Sequence, residues 1–242
     1  MADQNTHLLR SFDQELKQLH DMMATMGGLV ERELMLATAA VLEHDSTAAT
    51  QAVEIDPQVD AVERDVETFV IRTLALRQPV ADDLRQVVTA LKITHDLERI
   101  GDYAANVAKR SIVLAEFAAP LNLGGLAHMA RLVQEALKYT IDAIGARDTD
   151  LAMQVWQNDS AIDDLYTTIF RELITYMMED PRNITPCTHL LFVAKNLERI
   201  GDHATNIAET LYYAVKGENV PTARPKSDTS PYAAIRAREL SS

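Results

Sequence analysis

The feature that most constrains this chain of 242 residues is a repeated segment. LERIGDYAANVA at 97–108 aligns without gaps on LERIGDHATNIA at 197–208, with nine identities in twelve positions. Further upstream, EHDSTAATQAVEIDPQVD at 43–60 aligns with ARDTDLAMQVWQNDSAID at 146–163, at an offset of 103 instead of 100. Two matches in the same order indicate that the chain folds as two copies of one unit.

Composition and periodicity favour an all-α fold for both units. Apolar residues make up 47% of the chain but aromatic residues only 5%, and there are eight Gly and eight Pro. This balance suits helices, which need few chain-reversing residues and are built well from Ala, Leu and Met. The i, i+3, i+4, i+7 spacing of an amphipathic helix is followed by Leu84, Val87, Val88 and Leu91. We predict six helices, near 6–43, 47–77, 82–117, 123–146, 150–179 and 185–216.

Two proline-bearing segments, at 77–83 and 179–186, are predicted to be turns between antiparallel helices. The offset between the units changes by three residues between the two matches, and these turns are natural places for that change. The N-caps predicted for the helices that follow are Asp82 or Asp83 in the first unit and Asn183 or Thr185 in the second.

The boundaries of the units are predicted from breaks in the helical pattern. Pro120 and the glycines at 124 and 125 mark the junction, and from Gly217 onward Pro, Ser and charged residues replace the apolar periodicity. Such a composition is typical of a flexible tail. We predict a first three-helix unit at 1–119, a second at 120–217 and a tail at 218–242.

Charge and cysteine content exclude several classes of protein. Thirty-six acidic residues against 23 basic ones give a net charge of −13, which would repel a nucleic-acid backbone. The single cysteine, Cys187, has no partner for an internal disulfide, and the N-terminal sequence does not resemble a secretory signal. No stretch approaches the roughly 20 apolar residues of a membrane helix. We therefore expect a soluble, cytoplasmic protein that binds no nucleic acid and does not span a membrane.

Carboxylates recur at fixed helical spacings in both units. Asp56 and Asp60 lie one helical turn apart, and the repeat preserves this spacing. Glu98 and Asp102 continue the apolar stripe that ends at Leu91 by steps of seven and four, so they are predicted to project from the edge of a buried face. The carboxylates that both units share, predicted to form one site in each, are Asp56, Asp60, Glu98 and Asp102, and then Asp159, Asp163, Glu198 and Asp202.

Two explanations for buried carboxylates at this spacing stay open, because a buried charge needs a partner. Arg99 and Arg199 offer a network of salt bridges. A divalent or iron-type cation (Mg, Mn, Ca or Fe) held by oxygen atoms from facing helices is the other. Asn106 and Asn206 follow one turn after the acidic motif on the same face, where each is expected to hydrogen-bond to a ligating carboxylate or to a neighbouring helix.

The duplication also sets some candidate ligands aside. Glu63 and Glu67 become aromatic residues in the second unit, and His95 becomes Lys195. Their chemistry is not shared, so we expect them to face solvent instead of forming part of the site. Cys187 has no repeated counterpart and is not predicted to be a nucleophile.

The paired LERIGD segments, each preceded by a helix that carries Asp-x-x-x-Asp, closely resemble the PhoU family of phosphate-uptake regulators. TYMMEDPR at 175–182 and MGGLVE at 26–31 are also similar to family sequences. The resemblance covers about residues 7–217 and rests on motif, duplication and length together.

What the resemblance implies goes beyond what spacing shows. It implies two tandem three-helix bundles, and metal clusters (Mg, Mn, Zn or Fe) at the E(D)-x-x-x-D motifs that Glu98 to Asp102 and Glu198 to Asp202 match. It also implies a homodimeric negative regulator that links the ATPase of the phosphate ABC transporter to its sensor histidine kinase. Such a regulator keeps the phosphate-starvation response off when phosphate is plentiful.

Two other functions compete with regulation. A carboxylate-bridged di-iron enzyme needs Glu-x-x-His motifs, but Gly101 and Gly201 stand three residues after Glu98 and Glu198, so we do not expect an enzyme. A helical scaffold whose acids are salt-bridged to arginine, with no metal, is the other alternative.

Overall fold

A computed structural model describes residues 2–117 and 121–221, with side chains from residue 12 onward. The described residues contain helices and no strand, which confirms the all-α prediction. The helices are α1 (Ala2–Leu42), α2 (Ser46–Arg77), α3 (Ala81–Leu114), α4 (Gly124–Ala146), α5 (Thr149–Glu179) and α6 (Ile184–Lys216), with a short 3₁₀ helix at Pro181–Asn183. Pro120 and most of the predicted tail, from residue 222 onward, lie outside the described residues.

Helices α2 and α5 begin at the same position of the repeat. The Asp45 carboxylate accepts hydrogen bonds from the backbone N–H groups of Thr47 and Ala48, and the Asp148 carboxylate does the same for residues 150 and 151. Both are N-caps, which satisfy backbone donors at the start of a helix. Two of the acids that the repeat aligns are therefore structural.

The side-chain N-caps predicted for α3 and α6 are wrong, because neither helix has a capping hydrogen bond from a side chain. Helix α3 begins after Val80 with no side-chain cap, and Asp82 and Asp83 lie in its first turn, where a negative charge favours the helix dipole. Asn183 occupies the cap position of α6, but its side chain makes no capping bond and donates instead to the carbonyl of Tyr176.

Three helices pack together in each unit, and the two bundles join side by side. Helices α1, α2 and α3 pack against one another, as do α4, α5 and α6, while α3 packs on α6 and α1 on α4. Helices α3 and α6 are antiparallel, because Arg85 contacts Ala214, whereas Arg110, further along α3, contacts Phe192 near the start of α6. An approximate two-fold axis therefore relates the two units.

One apolar core runs through both bundles. It includes Met26, Leu97 and Ile100 from the first unit and Leu197 and Ile200 from the second. The two LERIGD segments thus contribute their apolar residues to a shared core, and their next side chains, Tyr103 and His203, meet with ring centres 5.6 Å apart. No helix within the described ranges has an apolar stretch long enough to cross a bilayer.

The buried face of α3 differs from the predicted stripe, of which only Val87 is fully buried. Leu84 and Val88 are 39% and 38% exposed, whereas Val87, Ala90 and Leu97 are buried. The residues predicted to lead up to Glu98 and Asp102 therefore lie at the boundary between the core and solvent. Both acids are half-buried at that boundary, as expected of side chains at the edge of a buried face.

Candidate metal site

A buried carboxylate on α1 lies at the centre of the first unit's acidic cluster. Glu33 is fully buried, and neither of its carboxylate oxygens has a hydrogen-bond partner among the described residues. Burial and then the negative charge of Asp56 raise the pKa of Glu33 to about 9, while Lys109 opposes the shift and Asp102 and Asp60 add to it. Without a metal ion beside it, this carboxyl holds a proton at neutral pH.

Three of the four carboxylates predicted for this unit, Asp56 and Asp60 on α2 and Asp102 on α3, lie near Glu33. Desolvation raises the pKa of Asp56, Lys109 lowers it, and Asp102 and Asp60 raise it further. Lys109 Nζ is 3.9 Å from Asp56 Oδ2, so one lysine faces several carboxyl groups. The structure thus brings together Asp56, Asp60 and Asp102, three of the four carboxylates predicted to form one site.

Glu98 faces a second group of ligand atoms on the outer side of α3. One oxygen or nitrogen from each of Glu63, His95 and Glu98 lies within 4.8 Å of the others, and His95 Nδ1 is 3.4 Å from Glu63 Oε1. Desolvation, Asp102 and Glu63 raise the pKa of Glu98 to about 7, against the opposing effects of Arg99 and His95. His95 is exposed, as we expected, but it and Glu63 lie beside a predicted ligand and not away from it.

In the second unit, a lysine replaces that histidine and contacts the motif glutamate. Lys195 Nζ donates a hydrogen bond to Glu198 Oε1 at 2.7 Å, while Glu198 Oε2 is buried and has no hydrogen-bond partner among the described residues. Desolvation raises the pKa of Glu198, Lys195 lowers it, and Asp202 and Asp163 raise it. Glu198 and Asp163 are buried, and Asp202 is half-buried.

Asp159, the fourth carboxylate predicted for this unit, accepts a hydrogen bond from a buried hydroxyl. Thr205 Oγ1 donates to Asp159 Oδ1 at 3.0 Å, and both side chains are buried. Ala105 stands at the position of Thr205 in the first unit, where Asp56 is instead near Lys109. The same aspartate is therefore held by a hydroxyl in one unit and by a cation in the other.

The arginine and asparagine side chains differ between the units. Arg99 Nη1 donates to Asp102 Oδ2 at 2.9 Å and Nη2 to the Tyr103 hydroxyl at 3.2 Å. The Arg199 guanidinium lies 5.5 Å from the centre of the same Tyr103 ring, so it reaches toward the first unit. Asn106 is exposed and Asn206 is half-buried. Arg99 therefore forms the salt bridge with Asp102 that the sequence allowed. In the second unit the salt bridge to Glu198 comes from Lys195, which was not predicted.

The donor set of the first unit fits a cation that prefers oxygen ligands. Mg²⁺, Mn²⁺ and Ca²⁺ are bound by carboxylates, and five of them, Glu33, Asp56, Asp60, Glu98 and Asp102, lie on three packed helices. A buried carboxyl group without a hydrogen-bond partner costs free energy unless it is protonated or bound. The unpaired oxygens of Glu33 are the observation that favours a ligand there.

Glu33 was not predicted as a ligand, because only carboxylates that occur in both units were selected. The offset of 103 that aligns the N-caps places Ala136 of α4 at the position of Glu33, so comparison of the units gives no sign of an acid. A different signal was present. Glu33 lies within the apolar face that carries Val30, Leu34 and Ala37, and an acid on a buried face is unusual.

Two tandem helical bundles with carboxylate motifs at equivalent positions define a duplicated, acidic helical protein, and comparison with known proteins identifies its family. The PhoU domain model matches residues 23–111 and 126–211, so the chain belongs to the PhoU family.

Curated relatives match over nearly their whole length. The chain is 46% identical over 225 residues to a phosphate-specific transport system accessory protein PhoU homolog of Rhizobium meliloti, covering 93% of this chain and 95% of the relative. A homolog with the same name from Caulobacter vibrioides is 46% identical over 224 residues, covering 92% and 97%.

Solved structures share the fold. The crystal structure of PhoU from Pseudomonas aeruginosa has a TM-score of 0.84 at 43% identity and covers 86% of this chain and 100% of that one. The phosphate transport system regulatory protein PhoU from Streptococcus pneumoniae has a TM-score of 0.80 at 30% identity and covers 87% and 100%. These matches confirm the predicted family and the duplicated fold.

Proposed function

We propose that this protein is a cytoplasmic accessory protein of phosphate transport that acts as a negative regulator of phosphate uptake and of the phosphate-starvation response. It would couple the ATPase subunit of the phosphate ABC transporter to the sensor histidine kinase. The observation that supports this role most directly is 46% identity, over 93% of the chain, to a relative named for the phosphate-specific transport system. In this proposal the protein acts by binding its partners and does not catalyse a reaction.

Metal binding is the second part of the proposal. Each bundle is proposed to hold a divalent or iron-type cation (Mg, Mn, Zn or Fe). The ligands would be Asp56, Asp60, Glu98 and Asp102 in the first bundle, joined by Glu33, and Asp159, Asp163, Glu198 and Asp202 in the second. Both carboxylate oxygens of Glu33 and Oε2 of Glu198 are buried without a hydrogen-bond partner among the described residues, which supports this. A scaffold without metal is the alternative, and the pairing of Lys195 with Glu198 favours it for the second bundle.

Deletion of the gene tests the regulatory role. In high phosphate, the deletion strain should express alkaline phosphatase at the level of a phosphate-starved culture, and the wild-type gene supplied in trans should restore repression. Unchanged phosphatase expression in the deletion strain would contradict the role.

Partner binding needs a direct measurement. The purified ATPase subunit and the cytoplasmic part of the kinase should each be retained by the immobilised protein, and light scattering should give the mass of the proposed homodimer. A monomer at micromolar concentration would remove the dimer from the proposal without affecting the regulatory role.

Metal analysis of protein purified without chelators tests the cation sites. Glu98→Ala and Glu198→Ala should each reduce bound metal when the proteins are equilibrated with Mg, Mn, Zn and iron, and Glu33→Ala should reduce binding in the first bundle only. The exposed Glu67→Ala is a matched control. Equally low metal content in the wild type and all variants would favour the bare scaffold.

A further inference from the structure

Two adjoining cavities lie at one end of the interface between the bundles. One of about 110 Å³ lies between α1 and α4, and a smaller one of about 30 Å³ is lined by α3 and α6 as well. They share four lining residues, His20, Met23, Ile144 and Arg147. A mainly apolar wall that carries a few polar groups is typical of sites for small organic ligands, in which the polar groups orient an apolar body.

An equivalent cavity lies at the other end of the same interface. The offsets that align the units, 103 for α1 with α4 and 100 for α3 with α6, relate six residues of one lining to six of the other. The corresponding pairs are His20 and Leu123, Gln86 and Pro186, Ala90 and Leu190, Ile144 and Val41, Arg147 and His44, and Ala214 and Leu114. The duplication has therefore produced two versions of one cavity.

The two versions differ in size and in chemistry. At one end, Pro186 and Leu190 bring apolar bulk and leave a volume of about 40 Å³. At the other end, Gln86 supplies an amide at the first of these positions and Ala90 a smaller side chain at the second. Of the two equivalent places, only one therefore combines space with polar groups.

Arg147 of this lining has a backbone conformation that favours glycine. It follows the last residue of α4 with φ of 53°, and His44, its counterpart after α1, has φ of 56°. Side chains are uncommon in this left-handed region and cost free energy there, so glycine is the usual residue after a helix. The units share the backbone but not the guanidinium, so the turn itself does not require an arginine. A cation also suits the end of a helix dipole, which is the structural alternative to a role in binding.

The charges of the larger lining favour an anion as its occupant. The chain as a whole carries a net charge of −13, yet among the described residues neither of the adjoining cavities is lined by an aspartate or a glutamate. Arg147 is exposed, and its Nη1 donates to the neutral amide oxygen of Gln86. A guanidinium has five N–H donors in a planar arrangement that matches a carboxylate, so donors remain for an anion.

His20 contributes a second donor to the same cavity. Its side chain is half-buried, and burial and then the charge of Arg147 lower its pKa, while Asp21 opposes the shift. The imidazole is therefore neutral at neutral pH and can donate a hydrogen bond to an anion from its N–H group. Neither neighbouring acid lines the cavity, since Asp21 is exposed and Asp148 accepts hydrogen bonds from the first residues of α5.

We propose that this cavity binds a small organic anion, with its carboxylate at Arg147 and His20 and its apolar body against Met23, Ile141 and Ile144. The ligand class is a short-chain monocarboxylate, because a cavity of about 110 Å³ has room for only a few carbon atoms beside the charged group. The site shares no residue with the carboxylates proposed to bind metal, and it does not depend on the proposed role in phosphate transport.

The experiment is a calorimetric titration of the full-length protein, freed of metal with EDTA and then dialysed so that no chelator competes. The probes are 3-methylbutanoate, the neutral 3-methylbutanamide, which has the same apolar body, and inorganic phosphate, which has charge but no apolar body. We expect saturable binding of 3-methylbutanoate, at least about tenfold tighter than that of the amide or of phosphate.

Three results of this titration would overturn the proposal. Equal binding of 3-methylbutanoate and the amide would show that the charge is not recognised. Equal binding of 3-methylbutanoate and phosphate would show that the apolar wall takes no part. No binding of 3-methylbutanoate would leave Arg147 with its structural role at the end of α4 alone.

Three variants assign the site. Arg147→Gly suits the left-handed backbone and removes the guanidinium, so it should weaken binding of 3-methylbutanoate by about tenfold or more. His44→Gly makes the same change at the equivalent position and should leave binding unchanged. Ala24→Leu, at an exposed position of the lining, should abolish binding by narrowing the cavity. Unchanged binding by Arg147→Gly or Ala24→Leu, with far-UV circular dichroism like that of the wild type, would refute the proposal, as would an equal loss in His44→Gly.

Discussion

The carboxylate of Glu33 on α1 lies against Gly101 on α3, with Oε2 3.2 Å from the point where a Cβ of residue 101 would stand. Val59 Cγ1 is 3.4 Å from the same point. The glycine in the first LERIGD segment therefore makes room for a buried acid on another helix. In the second segment, Gly201 makes room for an apolar side chain, since its Cβ position is 3.0 Å from Ile162 Cδ1.

Gly101→Ala should be less stabilising than an ordinary glycine-to-alanine change within a helix. Helix propensity alone favours alanine by about 1 kcal/mol. The new methyl group, however, would displace the Glu33 carboxylate and the Val59 side chain from their positions against residue 101. Gly28→Ala in α1 is the matched control, because nothing lies within 4 Å of its Cβ position. We expect Gly28→Ala to raise the free energy of unfolding by about 0.5 to 1 kcal/mol and Gly101→Ala to give no gain, as measured by urea denaturation. An equal gain in both variants would show that the contact with Glu33 is loose.

The stability of the metal-free protein should fall as pH rises through neutrality, because of Glu33. The pKa of this carboxyl is about 9 in the folded protein against an ordinary value of 4.5, so between these values the folded state binds a proton that the unfolded state has released. The free energy of unfolding then decreases by up to about 1.4 kcal/mol per pH unit. Below pH 4.5 both states are protonated and this effect vanishes.

Glu33→Gln should remove most of that pH dependence, because the amide does not titrate. Urea denaturation of both proteins in EDTA at pH 5.5, 7 and 8.5 checks this, and the difference in stability between variant and wild type should shift in favour of the variant as pH rises. Parallel curves for the two proteins would show that Glu33 does not carry the proton.

Lys195→Met should destabilise the second bundle at neutral pH. The ammonium group donates to Glu198 Oε1 at 2.7 Å, and its loss would leave a buried carboxylate without this counter-charge. Since Lys195 is partly exposed, we expect a loss of about 1 to 3 kcal/mol, smaller than for a fully buried pair. In the double variant Lys195→Met/Glu198→Gln, part of that loss should be recovered, and thermal denaturation of the wild type and both variants provides the measurement. Failure of the second change to recover any stability would mean that Lys195 acts through packing on Tyr166, whose ring centre is 4.9 Å from Nζ.

Much of the fold and most of the candidate site follow from the sequence because the duplication is explicit. Asp56, Asp60 and Asp102 converge as their spacing predicts, since helical periodicity places them on adjoining faces. Glu33 was missed because its counterpart in the second unit is Ala136. Only carboxylates that occur in both units were predicted as ligands, so an acid present in one unit alone was excluded. The packing of α3 on α6 was not predicted either, since neither local periodicity nor repeat spacing specifies which faces of two bundles meet.

That interface between the bundles supplies the last prediction. Arg85 of α3 donates from Nε to the carbonyl oxygen of Ala214 at 3.2 Å, near the end of α6, where carbonyl groups lack partners within the helix and the helix dipole favours a positive charge. Its guanidinium also lies 6.0 Å from the centre of the Tyr213 ring and pairs with Asp82. Arg85→Met keeps much of the apolar stem but removes the charge and the donors, so we expect a loss of about 1 kcal/mol. Hydrogen exchange should locate this loss in the last turns of α6, because that is where the carbonyl becomes unpaired.

Arg64→Met on the exposed side of α2, where the arginine is 3.9 Å from Asp60, is the control and should change stability by less than about 0.5 kcal/mol. Equal effects of the two substitutions would show that Arg85 does not cap α6 from the neighbouring bundle.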